Sequence, residues 1–346
     1  MVEIKNIIAY NKTLLEALGQ LSNLSSSCLV LFVVDEDGRM VGTLTDGDSR
    51  RALVAGASVH IQVEKIMHRD FHYLMDDSVD KVQQIRSLRE MGMKMIPVLD
   101  RQHRIADVIN LQKFKSRLPI DAVLMAGGKG ERLRPLTETT PKPLLKVGNK
   151  AIIDYNIDNL ISFGVSHINV TINYLGQQIK EYFKDPRDGI KINCVREPQY
   201  LGTIGSIKFI DTFYNDTILL MNSDLFTNID LEDFFLHFKQ NNADMSVAAI
   251  PYSVSVPYGI FELEEYKIKG VKEKPTYNYY ANSGIYLIKR KLLKLIPDGV
   301  FYNATDFMER LIREGFRVIR FPLVGYWIDI GKHEDYRKAQ EFAKHL

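Results

Sequence analysis

Apolar residues fall into two regimes along this chain. Through residues 1–118 they come in short paired runs, of which 28–35 (CLVLFVVD) and 94–100 (KMIPVLD) predict strands, each followed by a polar turn and a second strand at 40–45 and 104–109. Amphipathic helices are predicted before both pairs, over 13–21 and 79–91, where apolar residues recur at three- and four-residue steps. The same order occurs twice, so this part reads as a degenerate internal repeat. Ser116-Arg117-Leu118-Pro119 breaks the pattern. From Ile120 onward, apolar runs at 121–125, 168–173, 192–196, 217–221 and 245–250 alternate with helical stretches near 151–163, 175–183, 203–213 and 231–239. Such alternation predicts βαβ units, a mostly parallel sheet with helices on both faces, and a site beyond the carboxyl ends of the strands. The expected division is 1–118 and 119–346.

Composition narrows this picture. A chain of 346 residues exceeds the usual span of one core. Basic and acidic residues balance in both parts, 16 against 15 in 1–117 and 29 against 28 thereafter, so neither nucleic acid nor a membrane surface is an expected partner. Cys28 and Cys194 lack metal-ligand spacing and are expected to be buried thiols. The N-terminus has no basic start with an apolar run behind it, and no stretch approaches ~20 apolar residues, so the cytoplasm is the expected compartment.

The candidate chemistry begins where the first strand of the second part ends. Met125 and Ala126 lead into Gly127-Gly128-Lys129-Gly130-Glu131-Arg132-Leu133-Arg134-Pro135-Leu136-Thr137, followed by Pro141-Lys142-Pro143. Glycines after a buried strand let backbone N–H groups approach a phosphate chain and form an anion-binding nest. The string is neither a dinucleotide fingerprint nor a P-loop, because Arg132 stands where a GK[ST] ending would be needed. It closely resembles the signature of sugar-1-phosphate nucleotidyltransferases. That resemblance runs from Asp121 to the C-terminus and implies a Rossmann-like α/β domain. In the implied reaction a sugar-phosphate oxygen attacks the α-phosphorus of a nucleoside triphosphate, and catalysis is mainly positioning and charge neutralisation. Arg132 would grip the departing pyrophosphate and Lys142 would offset charge at the α-phosphate.

The other motifs follow in order. Asn222-Ser223-Asp224 closes an apolar strand, and Tyr326-Trp327-Ile328-Asp329-Ile330-Gly331 resembles the family's second metal segment. Asp224 and Asp329 would share a Mg²⁺ ion, a hard cation suited to carboxylate and phosphate oxygens. Glu197 and Leu201-Gly202-Thr203 match the base-binding stretch, with Gly127, Gly128, Gly130, Met125 and Ala126 completing the nucleotide contacts. Uridylyl- and thymidylyltransferases carry Gln at the position of Glu197. A carboxylate only accepts hydrogen bonds and so suits the two adjacent donors of guanine, which makes GTP the expected nucleotide. Gly259, Glu273, Lys274 and Asn282 match sugar-phosphate-facing segments. No nucleophile constellation of Ser, His or Cys is evident, and direct displacement needs none.

The repeat at 1–118 resembles a cystathionine-β-synthase (CBS) domain pair, a module that often binds adenine nucleotides and commonly dimerises, so a homo-oligomer is expected. Residues 42–48 (GTLTDGD) match its ribose-phosphate segment, with Thr45 toward phosphate and Asp48 toward ribose. The second copy, 106–112, lacks both groups, so at most one site is expected. The same pair would equally suit the cap of a helix beginning near Ser49. CBS-bearing relatives that make GDP-sugars such as GDP-glucosamine fit best, with glucosamine 1-phosphate as sugar. UTP, dTTP or CTP chemistry, a mannose or heptose phosphate, and a non-catalytic nucleotide-sensing scaffold remain alternatives. No hexapeptide repeats follow the helix predicted over 334–345, so no fused β-helix acyltransferase is expected.

Overall fold

The computed structural model describes residues 5–24 and 28–345, and the chain divides into two compact units, 1–117 and 118–346. The first unit contains β1 (Ile7–Ala9), α1 (Leu14–Ser22), β2 (Val30–Val34), β3 (Met40–Thr45), α2 (Asp46–Val54), β4 (Leu74–Met75), α3 (Lys81–Glu90), β5 (Met95–Leu99) and β6 (Ile105–Asn110). They build two three-stranded sheets, β1-β2-β3 and β4-β5-β6. In each, a short strand runs parallel to the middle one and the third is antiparallel, so the repeat in the sequence is a repeat in the backbone. Phe32, Met40 and Leu99 are buried together and join the two halves.

Thr13 caps α1, and Thr45 caps α2, in each case through a reciprocal box with the acid three residues on. Helix α2 therefore starts at Asp46, ahead of the start expected near Ser49, because Thr45 satisfies the first free N–H groups. Cys28 and Cys194 are only partly buried, not buried as expected: Cys28 precedes β2, and Cys194 lies mid-strand in Ile192–Arg196, the edge strand of its sheet. Desolvation raises both thiols, that of Cys194 to about 11.

The second unit begins with β7 (Ile120–Ala126), α4 (Leu136–Thr139), β8 (Lys146–Val147), β9 (Lys150–Ala151), α5 (Ile152–Ser162), β10 (His167–Ile172), α6 (Gly176–Tyr182) and β11 (Ile192–Arg196). It continues with β12 (Thr217–Asn222), β13 (Leu225–Thr227), α7 (Leu231–Gln240), β14 (Met245–Ser255), β15 (Ile260–Glu264), β16 (Lys267–Lys272) and β17 (Thr276–Lys289). Last come α8 (Ala304–Arg313), β18 (Val318–Pro322), β19 (Trp327–Asp329) and α9 (His333–Ala343). Seven strands form one sheet in the order β11-β10-β7-β12-β17-β14-β18. All pairs are parallel except the two made by β17, which is antiparallel to β12 and β14. Strand β7 is buried at every position but Met125, the run of apolar residues that a strand covered on both faces requires.

The helix expected over 203–213 is a five-residue 3₁₀ turn, Gly205–Phe209. Backbone contacts explain the difference. Gly202 has φ +76°, and Ile204 N–H donates to the Tyr302 carbonyl at 3.1 Å, so the segment is laid against the entry to α8. No helix among the described residues is long and apolar enough to cross a membrane.

Beyond the sheet, β13 and β19 pair antiparallel with Leu225 opposite Asp329 and Phe226 opposite Ile328. The ladder rests on Phe226, which is fully buried and has Tyr155 edge-on at 4.8 Å and Tyr326 at 5.2 Å between ring centroids. The buried Asn156 side chain of α5 donates to the Leu225 carbonyl at 2.9 Å and fixes the ladder from the other side. Phe226→Ala should lower unfolding free energy by about 3–5 kcal/mol in a denaturant titration. A loss under about 1 kcal/mol would show that the ladder is held by something else.

Candidate active site

Four parallel strands deliver their carboxyl ends to one cavity of about 690 Å³. Strand β7 contributes Met125 and Ala126 and runs into Gly127, Gly128 and Gly130; β10 contributes Thr171 and then Asn173; Glu197 follows β11, and Asp224 follows β12. The strands are locked together at this edge, since the Ser223 hydroxyl donates to the Met125 carbonyl at 2.6 Å and Glu197 N–H to that of Ile172 at 3.1 Å.

The glycine loop is shaped by what lies against it. Gly130 has φ +63°, and a Cβ there would meet Lys142 Cβ at 3.1 Å, so its bare backbone leaves room for the Lys142 stem. At Gly127 a Cβ would collide with Glu197 Oε1, which places that carboxylate directly on the loop.

The Lys142 ammonium is paired with Asp224 Oδ2. Asp329 is set beside Asp224 by the β13–β19 ladder, and Ile330 N–H donates to the Asp224 carbonyl at 3.2 Å. Burial, and then the neighbouring Asp224 charge, push the Asp329 carboxyl above the usual aspartate range against the opposing pull of Lys142 and Arg132. Arg132 packs on Gly331, two residues beyond Asp329, where a Cβ would lie 3.3 Å from its guanidinium.

These residues fit a divalent cation. Asp224 Oδ1 is buried with no hydrogen-bond partner, and two carboxylates face each other where a shared positive charge would relieve both. Among the described residues no group of three or more His, Cys, Asp and Glu side chains is arranged for a metal. The donor set is therefore two carboxylates with room for other oxygens, the pattern of Mg²⁺ bound together with phosphates and unlike an all-protein cage.

The other end of the cavity is lined by Glu197, Tyr200, Gly202 and Thr203. Glu197 is 3% exposed, and burial raises its carboxyl while the Leu201 amide, donating to Oε2 at 3.2 Å, works against that rise. Gly202 is obligatory in its place, because a Cβ there would meet the Tyr302 carbonyl oxygen at 2.5 Å. The Thr203 hydroxyl accepts from Ala304 N–H at 2.8 Å, so it serves the start of α8 as well as the cavity wall.

Residues 121–345 match the family described as Nucleotidyl transferase. The chain belongs to that family. Among similar proteins, a Sulfolobus acidocaldarius protein with the provisional name mannose-1-phosphate guanyltransferase is 30% identical over 223 residues, 63% of this chain and 62% of its own length. The UTP–glucose-1-phosphate uridylyltransferase of Synechocystis is 28% identical over 239 residues, with 63% and 62% covered. This chain thus spans about 62% of the length of these curated relatives. A Bacillus anthracis structure provisionally named a glucose-1-phosphate thymidylyltransferase, in complex with a sucrose, superimposes with a TM-score of 0.52. It covers 66% of this chain and 96% of its own at 23% identity, a likeness of fold.

Not every expected residue of this nucleotidyl transferase lies in the cavity. Gly259, Glu273, Lys274 and Asn282 are absent from its lining. Gly259 and Glu273 are neighbours on an exposed arm, a Cβ at the glycine falling 3.0 Å from Glu273 Oε2. The Asn282 amide is engaged by Tyr286 OH at 2.8 Å and by Gly284 N–H at 2.9 Å. Thr45 lines a separate cavity of about 430 Å³ within the first unit, but Asp48 does not. The Asp48 carboxylate turns back to the Thr45 hydroxyl at 2.6 Å and pairs with Arg51, and although burial opposes it, these bonds hold the carboxyl below its usual range.

Conversely, Asn173 and Tyr200 line the site without having been singled out from sequence, and Gly331, the last residue of the second metal segment, lines it too. Asn173 follows a parallel strand and was open to the same strand-end argument that found Asp224. Tyr200 had no local signal.

Charge removal at the carboxylate pair separates burden from benefit. Without a divalent cation Asp329→Asn should melt at or above the wild-type temperature, since the buried charge beside Asp224 is gone. The rise in Tm on adding Mg²⁺ with a nucleoside triphosphate should disappear in the same variant. Differential scanning fluorimetry reads both, and an undiminished Mg²⁺-dependent rise would remove Asp329 from the cation site.

Proposed function

We propose that this chain transfers a nucleoside monophosphate from GTP to a sugar 1-phosphate, giving a GDP-sugar and pyrophosphate in a Mg²⁺-dependent reaction. The observation that carries the reading is the convergence of Arg132, Lys142, Asp224 and Asp329 with the glycine loop and Glu197 around one cavity. In this reading the backbone N–H groups of the Gly127–Gly130 segment cradle the triphosphate. Asp224 and Asp329 would hold a Mg²⁺ ion, which when bound neutralises phosphate charge. Lys142, oriented by Asp224, stands where it offsets charge at the α-phosphate as the sugar-phosphate oxygen attacks and the bond to the β-phosphate breaks. Arg132, seated on Gly331, offers its fork to the leaving pyrophosphate.

The choice of GTP rests on Glu197, because the relatives' names cover both guanylyl and uridylyl transfer. Its carboxylate is buried between Gly127 and Leu201, so a base edge that reaches it meets an acceptor there. Guanine presents two adjacent donors to such a group, whereas uracil presents one N–H flanked by carbonyls that it repels. For the sugar, glucosamine 1-phosphate is the proposal, with Gly259, Glu273, Lys274 and Asn282 moving toward the cavity when it binds.

We further assign the first unit to the CBS type, with its 430 Å³ cavity taking an adenine nucleotide and assembly into a homo-oligomer. Apolar walls with Thr45, His68, Asp70 and Lys94 among the lining support a base and a charged phosphate tail. An adenine nucleotide should raise the Tm of the full chain, and Thr45→Ala should reduce that rise. No shift at millimolar nucleotide would leave the unit without this role.

The activity test is pyrophosphate release with each triphosphate and one sugar phosphate held constant. Wild type should favour GTP over UTP, and Glu197→Gln should narrow the preference by roughly 5- to 150-fold in kcat/KM, because the amide turns a donor toward a guanine donor. Lower pH should act the same way, since protonation removes an acceptor as the pH falls through the raised Glu197 value. Wild-type preference for UTP would overturn the guanine reading, and no pyrophosphate with any pair would overturn the transfer itself.

A further inference from the structure

One wall of the cavity is aromatic at its Glu197 end. Tyr200 lines it, three residues after Glu197 and directly before Leu201 and Gly202. The segment that carries it is held on both sides. The Leu201 amide donates to Glu197 Oε2 at 3.2 Å, Tyr302 N–H donates to the Leu201 carbonyl at 3.0 Å, and the Gln199 side chain donates to the Gly299 carbonyl at 3.5 Å. The Tyr200 ring stands edge-on to Phe301 with centroids 5.8 Å apart, and both side chains are about half exposed. Backbone and ring contact together fix where the phenol points before a ligand arrives. Among the described residues nothing hydrogen-bonds its hydroxyl. Burial, and after it the charges of Glu197 and Asp224, raise that hydroxyl above its usual range, so it stays protonated within the field of both acids.

We propose that Tyr200 reads the sugar of the nucleotide, its hydroxyl bonding to the ribose 2′-hydroxyl and selecting ribonucleoside over 2′-deoxyribonucleoside triphosphates. The assignment rests on the proposed reading of the site, with the base at Glu197 and the phosphates at Lys142, Asp224 and Asp329. The covalent order of a nucleotide then lays the ribose between these two ends, along the wall that Tyr200 occupies. The 2′-hydroxyl is carried next to the glycosidic carbon, and Tyr200 belongs to the segment that follows Glu197, so this is the ribose hydroxyl it meets. A phenol donates and accepts, as a ribose hydroxyl does, so each group can satisfy the other. A 2′-deoxy analogue leaves the partly desolvated phenol without a partner, and a site built to bond a hydroxyl rejects a ligand that lacks it. The same contact disfavours dTTP, whichever base Glu197 prefers.

Isothermal titration calorimetry of the full chain, with Mg²⁺ and without sugar phosphate, tests it on GTP and 2′-deoxy-GTP in wild type and Tyr200→Phe. The variant keeps the ring and its contact with Phe301, so the hydroxyl alone is lost. Wild type should bind GTP roughly 5- to 150-fold more tightly than 2′-deoxy-GTP. Tyr200→Phe should bind the two alike, a coupling between one protein hydroxyl and one ligand hydroxyl that a merely structural role would not produce. UTP and 2′-deoxy-UTP form a second pair. The same ratio in that pair, with UTP bound more tightly than GTP, would fault the guanine reading and uphold the ribose contact. Equal binding of ribo and deoxy forms by wild type, or an undiminished ratio in the variant, would overturn the ribose contact alone. No binding of any triphosphate would overturn the reading of the site and this contact with it.

Discussion

The feature on which the second unit depends is the forced proximity of two carboxylates. Asp224 leaves the end of a buried parallel strand, and Asp329 arrives from far along the chain on β19. A three-pair antiparallel ladder sets them side by side. Burial first, and then repulsion by the Asp224 charge, make Asp329 hold its proton more tightly than an exposed aspartate. Lys142 and Arg132 offset part of that cost. Phe226, Asn156 and the aromatic rings around them supply the packing that keeps the ladder from relaxing it. In the proposed reading, positive charge arriving with a phosphate substrate would relieve that repulsion.

The same economy of backbone appears at the nucleotide end. Gly127 is small because Glu197 lies on it, and Gly202 is small because the chain folds back on the carbonyl of Tyr302. These glycines thus serve the packing of their neighbours. A substitution at Gly127 would displace Glu197, and one at Gly202 would disturb the entry to α8, so the loop, Glu197 and the start of α8 constrain one another.

Much of this was legible in the sequence where the signal is local. The repeat in the first unit, the alternation after Ile120 and the strand-end carboxylate Asp224 all follow from periodicity and from where parallel sheets place their sites. The glycine string with Arg132 and Lys142 needs fixed offsets, and its members do meet in one cavity. What was not legible depends on distant contacts. The stretch 203–213 has helical spacing, yet hydrogen bonds to Tyr302 and a glycine at positive φ hold it as a short turn. The fourteen-residue β17 and its two antiparallel pairings have no local marker, since half of the strand is buried and half exposed. At Thr45 and Asp48, capping and ligand contact call for the same atoms, and here the atoms cap.

The central claim is that the two aspartates act together on one cation. Electron paramagnetic resonance of Mn²⁺, titrated into the full chain with a non-hydrolysable GTP analogue, measures this without relying on turnover. The account predicts one tightly held ion per chain in wild type and loss of that ion in Asp224→Asn and in Asp329→Asn alike. Retention of the ion at wild-type affinity by either variant would contradict it.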